Sequence, residues 1–263
     1  MLKKSAQICL FAGVIGLASM AVPASATHSW NNYHWARTTP SFILKLGDNV
    51  SGAWDDYLDD ASADWSSPSA DTDPATKDVL DTRVQRLGTV DPRKCRPTSG
   101  MVQVCNASYG RNGWLGIAQI WISSSHITQG TAKLNDSYFN MAKYNTPAWR
   151  ALVMCQEIAH TFGLDHQDED FDNANLGSCM DYTSKPAGNE HPNDHDYAML
   201  ENIGLYGHDD NNSTVGPSLV ASAAPADDWG RAIRFTREGK GRVFVKGLGP
   251  NREVVTFVTW APE

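Results

Sequence analysis

Cys155-Gln156-Glu157-Ile158-Ala159-His160-Thr161-Phe162-Gly163-Leu164-Asp165-His166 is the stretch from which this chain is read. On a helix, positions four apart share a face, so side chains at 156 and 160 can grip one ion while Glu157, one position round, aims a carboxylate beside it. Gly163 can take the left-handed conformation that ends a helix and turns the chain back, which brings His166 to the same point. The spacing is the extended metal-site pattern H-E-x-x-H-x-x-G-x-x-H with glutamine in the first histidine position.

The helix has its own support. Thr146 can cap its N-terminus and Pro147 suits its first turn. Ala148, Trp149, Ala151, Leu152, Val153, Met154, Ile158, Ala159 and Phe162 then make it apolar on nearly all sides, as a helix inside a domain must be. Gln156, Glu157 and His160 on such a helix need partners to offset their desolvation, and an ion or a wet cleft supplies them.

Downstream, Gly177-Ser178-Cys179-Met180-Asp181-Tyr182 adds a second motif. With it the sequence resembles the metzincin clan of zinc endopeptidases, in which the long zinc signature is followed by a tight turn carrying a methionine beneath the metal. Met180 matches that methionine. In the astacin and serralysin branches the turn reads S-x-M-x-Y, and Ser178, Met180 and Tyr182 match; the tyrosine there can be a further zinc ligand. The resemblance spans about residues 42–208, with specific motifs only in 155–182. It implies a zinc cofactor, a polypeptide substrate and Glu157 as general base, taking a proton from a zinc-activated water as that water attacks a peptide carbonyl. It also implies that an edge strand within residues 117–134 pairs with the substrate by strand addition.

Glutamine offers zinc a neutral carbonyl oxygen, a poorer donor than imidazole nitrogen. Three readings stay open. Gln156 ligates through that oxygen; or Tyr182 or another residue fills the gap; or metal is absent and the fold serves for binding alone. The expected set is His160 and His166 with help from Gln156 and Tyr182. Tyr182 is either a ligand or a donor to the oxyanion.

Around the motifs, hydrophobic periodicity predicts strands at 42–46, 79–87, 101–107, 114–123 and 131–134, and a helix over 52–66. A closing helix follows over 194–206. The expected class is α+β: a metzincin-like mixed twisted sheet with a buried zinc-binding helix, a methionine turn and a closing helix, plus a short C-terminal β-rich segment. Residues 1–26 read as a secretory signal peptide, with Lys3 and Lys4 ahead of an apolar run and Ala24-Ser25-Ala26 as the cleavage site. The catalytic domain is then 27–208, and 209–228 is polar, small and Pro-containing, a linker. Residues 229–263 promise a hairpin and a third strand, which pack on the catalytic domain or form a small binding module.

The remaining cysteines are even in number in an oxidising compartment, with Cys95–Cys105 and Cys155–Cys179 the expected bridges. The formal charge of −8, with no basic stripe, argues against nucleic acid or an anionic membrane as partner. The acidic run Asp165, Asp168, Glu169, Asp170 and Asp172 makes calcium a second candidate ion, although it lacks EF-hand spacing. His191 and His195 flank the closing helix and are not assigned as ligands. Together these features predict a secreted, monomeric zinc endopeptidase, extracellular or periplasmic. The alternatives are a catalytically silent protein of the same fold that binds peptides or secreted partners, and a structural calcium-binding protein.

Overall fold

A computed structural model describes residues 28–36, 42–66, 80–86, 88, 90–202 and 228–262. Residues 1–26, read as a signal peptide, and nearly all of 209–228, read as a linker, lie outside them. The described residues form a mixed α+β fold: a nine-stranded sheet with four helices.

Short β1 (His34–Trp35) precedes β2 (Phe42–Asn49), α1 (Asp55–Ser66), β3 (Leu80–Gln85), β4 (Met101–Ala107), β5 (Trp114–Ser123) and β6 (His126–Asn135). Then come α2 (Asp136–Phe139), α3 (Pro147–His160), α4 (Asp194–Asn202), β7 (Arg231–Phe235), β8 (Gly241–Gly249) and β9 (Arg252–Trp260). The sheet order is β3-β2-β4-β6-β5-β9-β8-β7, with β1 also paired to β6. β2, β3, β4 and β6 run parallel, whereas β5, β9, β8 and β7 alternate antiparallel.

The predicted strands at 101–107 and 114–123 are β4 and β5 to the residue, and the 131–134 strand is longer, running from 126 to 135. Of the predicted closing helix, the described part ends at Asn202. Two elements were not foreseen, β1 and α2, both too short for a periodic signal.

One expectation is corrected. No edge is open along residues 117–134, because β5 is flanked by β6 and β9, and β6 by β5 on one side and by β4 and β1 on the other. The strand that closes β5 is the protein's own. β9 runs antiparallel to it from Trp114↔Trp260 to Ser123↔Arg252. Val255, Thr256, Phe257 and Val258 are fully buried, so adjacent residues on both faces of β9 lie in the interior. The C-terminal segment therefore completes the sheet.

α3 is built as its sequence demands. The Thr146 hydroxyl accepts from Trp149 N at its N-cap and Pro147 occupies the first turn. From Leu152 onward every residue of the helix is buried. Gly163 takes φ +98°, the left-handed turn expected after it. Both expected disulfides are present, and Cys155–Cys179 ties α3 to the methionine turn across 24 residues. In the loop-closure account that bridge contributes about 3 kcal/mol. A Cys155→Ser/Cys179→Ser variant is expected to lower the thermal midpoint by roughly 5–10 °C, as read by a circular-dichroism melt. No helix among the described residues is long and apolar enough to cross a membrane.

Candidate functional site

The turn after α3 brings the two histidines together. His160 Nε2 and His166 Nε2 lie 3.1 Å apart with rings nearly perpendicular. A tetrahedral ion bound at about 2.0–2.1 Å holds two imidazole nitrogens about 3.3 Å apart, so the pair fits one ion. His160 Nδ1–H donates to Leu164 O at 2.8 Å, which leaves Nε2 with its lone pair, as ligation requires. Burial lowers the proton affinity of both rings, His160 far below its usual range and His166 to about 4. Burial would push Asp165 up, but His166 and Arg242 outweigh it and hold the carboxyl well below its ordinary value.

Glu157 is fully buried, and neither carboxylate oxygen has a hydrogen-bond partner of good geometry. It lies against β5: a Cβ at Gly116 would sit 2.3 Å from Glu157 Oε1, so only glycine admits the carboxylate there. Burial pushes the Glu157 carboxyl up to about 8, with the Thr259 side chain pulling slightly the other way. Between the ordinary value of 4.5 and about 8, the folded chain keeps this proton while the unfolded chain loses it. Stability accordingly falls as pH rises through that window. Without metal, Glu157→Gln is expected to be more stable than the native chain by about 4 kcal/mol at pH 8. The gap should close below pH 4.5, where both states are protonated. Urea melts across that range in chelator would measure it.

Gln156 is also fully buried, and both ends of its amide are engaged. Nε2 donates to Cys179 O at 2.9 Å, and Oε1 accepts from Thr259 Oγ1 at 2.8 Å. The oxygen that a metal would use is thus already serving as an acceptor. Tyr182 packs its ring 4.1 Å from that of His166 and stacks on Phe171, while its buried hydroxyl has no hydrogen-bond partner. Met180 is fully buried within the turn, its N–H donating to Ser178 Oγ at 2.8 Å.

The structure adds three residues from the C-terminal strands that sequence reading left without a role. Phe257 of β9 stacks flat on His160, centroids 4.5 Å apart and planes 3° from parallel. Thr259 of β9 caps Gln156. Arg242 of β8, almost wholly buried, donates from Nη1 to His166 Nδ1 at 3.1 Å and to Asp165 Oδ1 at 3.2 Å, and pairs through Nη2 with Glu169. A guanidinium only donates, so its contact favours a lone pair at His166 Nδ1, whereas Asp165 Oδ1, 3.6 Å from the same nitrogen, favours a proton there. Polar contacts thus run from Arg242 through His166 and His160 to Leu164.

The acidic run serves the same segment. Asp165 also faces Arg234 at 3.2 Å, Asp170 faces Arg237 at 3.7 Å, and Asp168 accepts from Asp170 N and Asn173 Nδ2. His191 is exposed and pairs with Asp64 of α1. His195 lies elsewhere, in a group of His28, His195 and Asp196 whose ligand atoms all fall within 4.8 Å of one another and which could hold a metal ion.

A signal for β9 existed in the sequence. Val254-Val255-Thr256-Phe257-Val258 lacks the polar alternation of a strand with one wet face, and reads as a strand covered on both. Nothing local marked Arg242, 76 residues from His166. No protein-family model matches this chain and no curated protein does, so the metzincin resemblance rests on the motifs quoted above.

Proposed function

We propose that this chain is a secreted zinc-dependent endopeptidase held closed by its own C-terminal strands. The observation that carries the reading is the convergence of two imidazole nitrogens, 3.1 Å apart, at the end of a helix that also carries a fully buried carboxylate without a well-formed hydrogen bond. A buried, unpaired carboxylate costs several kcal/mol as an anion, so burial keeps Glu157 protonated, and a bound cation would be what returns it to the ionised form a base requires. Ligation would fall to His160 and His166, with Gln156 Oε1 or Tyr182 completing the set.

An ion held there supplies Lewis-acid polarisation of the scissile carbonyl and makes water more acidic. Glu157 takes the proton from the attacking water and passes it to the leaving amine. The Tyr182 hydroxyl, unpaired in the closed state, donates to the developing oxyanion or serves as a ligand. The main chain of β5, once β9 leaves, offers the edge on which an extended peptide pairs.

β9 lies on β5 as such a peptide would, with Phe257 over His160 and Thr259 on Gln156. Arg242 of β8 lies against His166, so release of these strands bares the histidine pair. Metal affinity in the closed state is reduced by the fraction of chains that are open.

A second reading has one observation in its favour. The contacts of Arg242, Phe257 and Thr259 satisfy the site as a finished core would, which suits a silent protein that keeps the fold for binding. Casein hydrolysis separates the two. An endopeptidase loses activity in chelator and regains it with added zinc. A zinc-loaded chain that cleaves nothing, and a Gln156→His variant that also cleaves nothing, would establish the silent reading.

A further inference from the structure

The residues that open the described chain run along the turn beyond α3. Asp165 N donates to His28 O at 2.5 Å, Ser29 bridges to Leu164, and Trp30 N donates to Gly163 O at 2.8 Å. This path lays the His28 side chain against the first turn of α4. Its ring stacks on that of His195, centroids 4.9 Å apart and planes 23° from parallel, and its Nε2 lies 3.1 Å from Asp196 Oδ1.

Burial makes that cluster unusual. His28 is 4% exposed and Asp196 fully buried. Neither ring nitrogen of His28 has a hydrogen-bond partner of good geometry, and neither does Asp196 Oδ1. The other carboxylate oxygen is fully used, accepting from Ser178 Oγ at 2.6 Å and from Asn193 N at 2.8 Å. These two bonds fix the carboxylate so that its open oxygen faces the histidines. Each buried polar atom left unsatisfied costs about 1–3 kcal/mol, and a cation would satisfy the imidazole and the carboxylate together.

The donor set decides which cation. Two imidazole nitrogens and one carboxylate oxygen suit zinc, which binds through nitrogen and oxygen at four coordination. Calcium asks for six to eight oxygens, and this cluster does not provide them. The hydrogen bonds from Ser178 and Asn193 to the far oxygen of Asp196 are the outer contacts that orient a ligating carboxylate.

We propose that His28, His195 and Asp196 form a zinc site separate from the His160–His166 pair. Its ion clamps three parts of the chain at one point: the stretch that begins at His28, the methionine turn through Ser178, and α4. The same clamp holds the turn that carries Asp165 and His166, because His28 O accepts from Asp165 N. The site is structural, and it stands whether or not the chain is a peptidase.

The test uses the full chain carrying His160→Ala and His166→Ala, which removes the other candidate ligands. After dialysis against zinc and then buffer, elemental analysis should find one zinc per chain, and zinc at a hundred times its dissociation constant should raise the thermal midpoint by roughly 5–10 °C. Adding His28→Ala should abolish both the bound zinc and the shift. Asp196→Asn is the second variant, because it keeps the Asp196 shape and should weaken zinc binding by at least tenfold if Oδ1 is a ligand. A chain with both His160 and His166 replaced that takes up no zinc, or one whose zinc survives His28→Ala and Asp196→Asn, would overturn the proposal.

Discussion

Glu157→Ala is expected to lower casein turnover by about 10²- to 10⁴-fold while leaving zinc content unchanged. The size follows from the role, since a positioned general base contributes that much and the ion's own polarisation of the carbonyl remains. The position makes the reading specific. Glu157 sits on the buried face of α3, against Gly116 of β5, with no hydrogen bond to lose. Its removal should not unfold the chain. Burial holds its proton on at neutral pH, so the alanine variant sheds a destabilising group and should melt no lower than the native protein without metal. Loss of turnover together with loss of fold would make the carboxylate structural, and turnover that survived would remove Glu157 from the chemistry. A glutamine variant separates shape from charge, because it fills the same volume and cannot accept the proton.

Locking β9 to β5 should silence the protein reversibly. Gln119 and Thr256 face each other across the two strands, with Gln119 Nε2 donating to Thr256 Oγ1 at 2.9 Å. Directly opposed residues of antiparallel strands lie about 4.5–5.5 Å apart at Cα, within the range a disulfide spans. In a Gln119→Cys/Thr256→Cys chain, oxidation should suppress casein hydrolysis at least tenfold, and mild reduction should restore it. The native bridges Cys95–Cys105 and Cys155–Cys179 are buried and should survive that reduction. If the oxidised chain hydrolyses casein as fast as the reduced one, substrate does not enter along β5, and the closed arrangement of β9 is no barrier.

The local part of the fold was legible and the non-local part was not. α3 announced itself through Thr146, Pro147 and an unbroken apolar surface, all within one stretch, and Gly163 marked its end. β4 and β5 followed from apolar, β-branched runs between turn residues. Which strand lies beside β5 is set by contacts such as that between Gln119 and Thr256, 137 residues apart, and alternation along one strand names no neighbour. The metzincin resemblance pointed to an open edge there, and β9 occupies it. The candidate site divides along the same line. Gln156, Glu157, His160 and His166 stand on one helix and its turn, whose geometry the sequence dictates. Tyr182 comes close through a motif spacing. Arg242, Phe257 and Thr259 reach the site only because β8 and β9 join the sheet, and His28 only because its strand of backbone runs beside Gly163–Asp165.

The charge pattern has a similar lesson. The acidic run offers oxygens that could bind calcium, and Asp165, Glu169 and Asp170 within it also meet Arg242, Arg234 and Arg237 from the C-terminal segment. Complementary charge on two distant segments thus marks a docking contact within one chain. The exposed pairs in this set contribute little individually, whereas Arg242 and Asp165 are both buried, and only Arg234 would remain to pair with Asp165 if Arg242 moved away. Opening must therefore carry a cost, and a bound ion or a substrate strand has to offset it.

The most direct test of the central claim is the zinc content of the full chain carrying His28→Ala, which leaves His160 and His166 as the histidine pair able to share an ion. The account predicts one zinc per chain, lost when His160→Ala is added, with casein hydrolysis lost alongside it. A chain with His28→Ala that holds no zinc under saturating conditions would contradict the claim, and Gln156, His160 and His166 would then be the polar centre of a closed core.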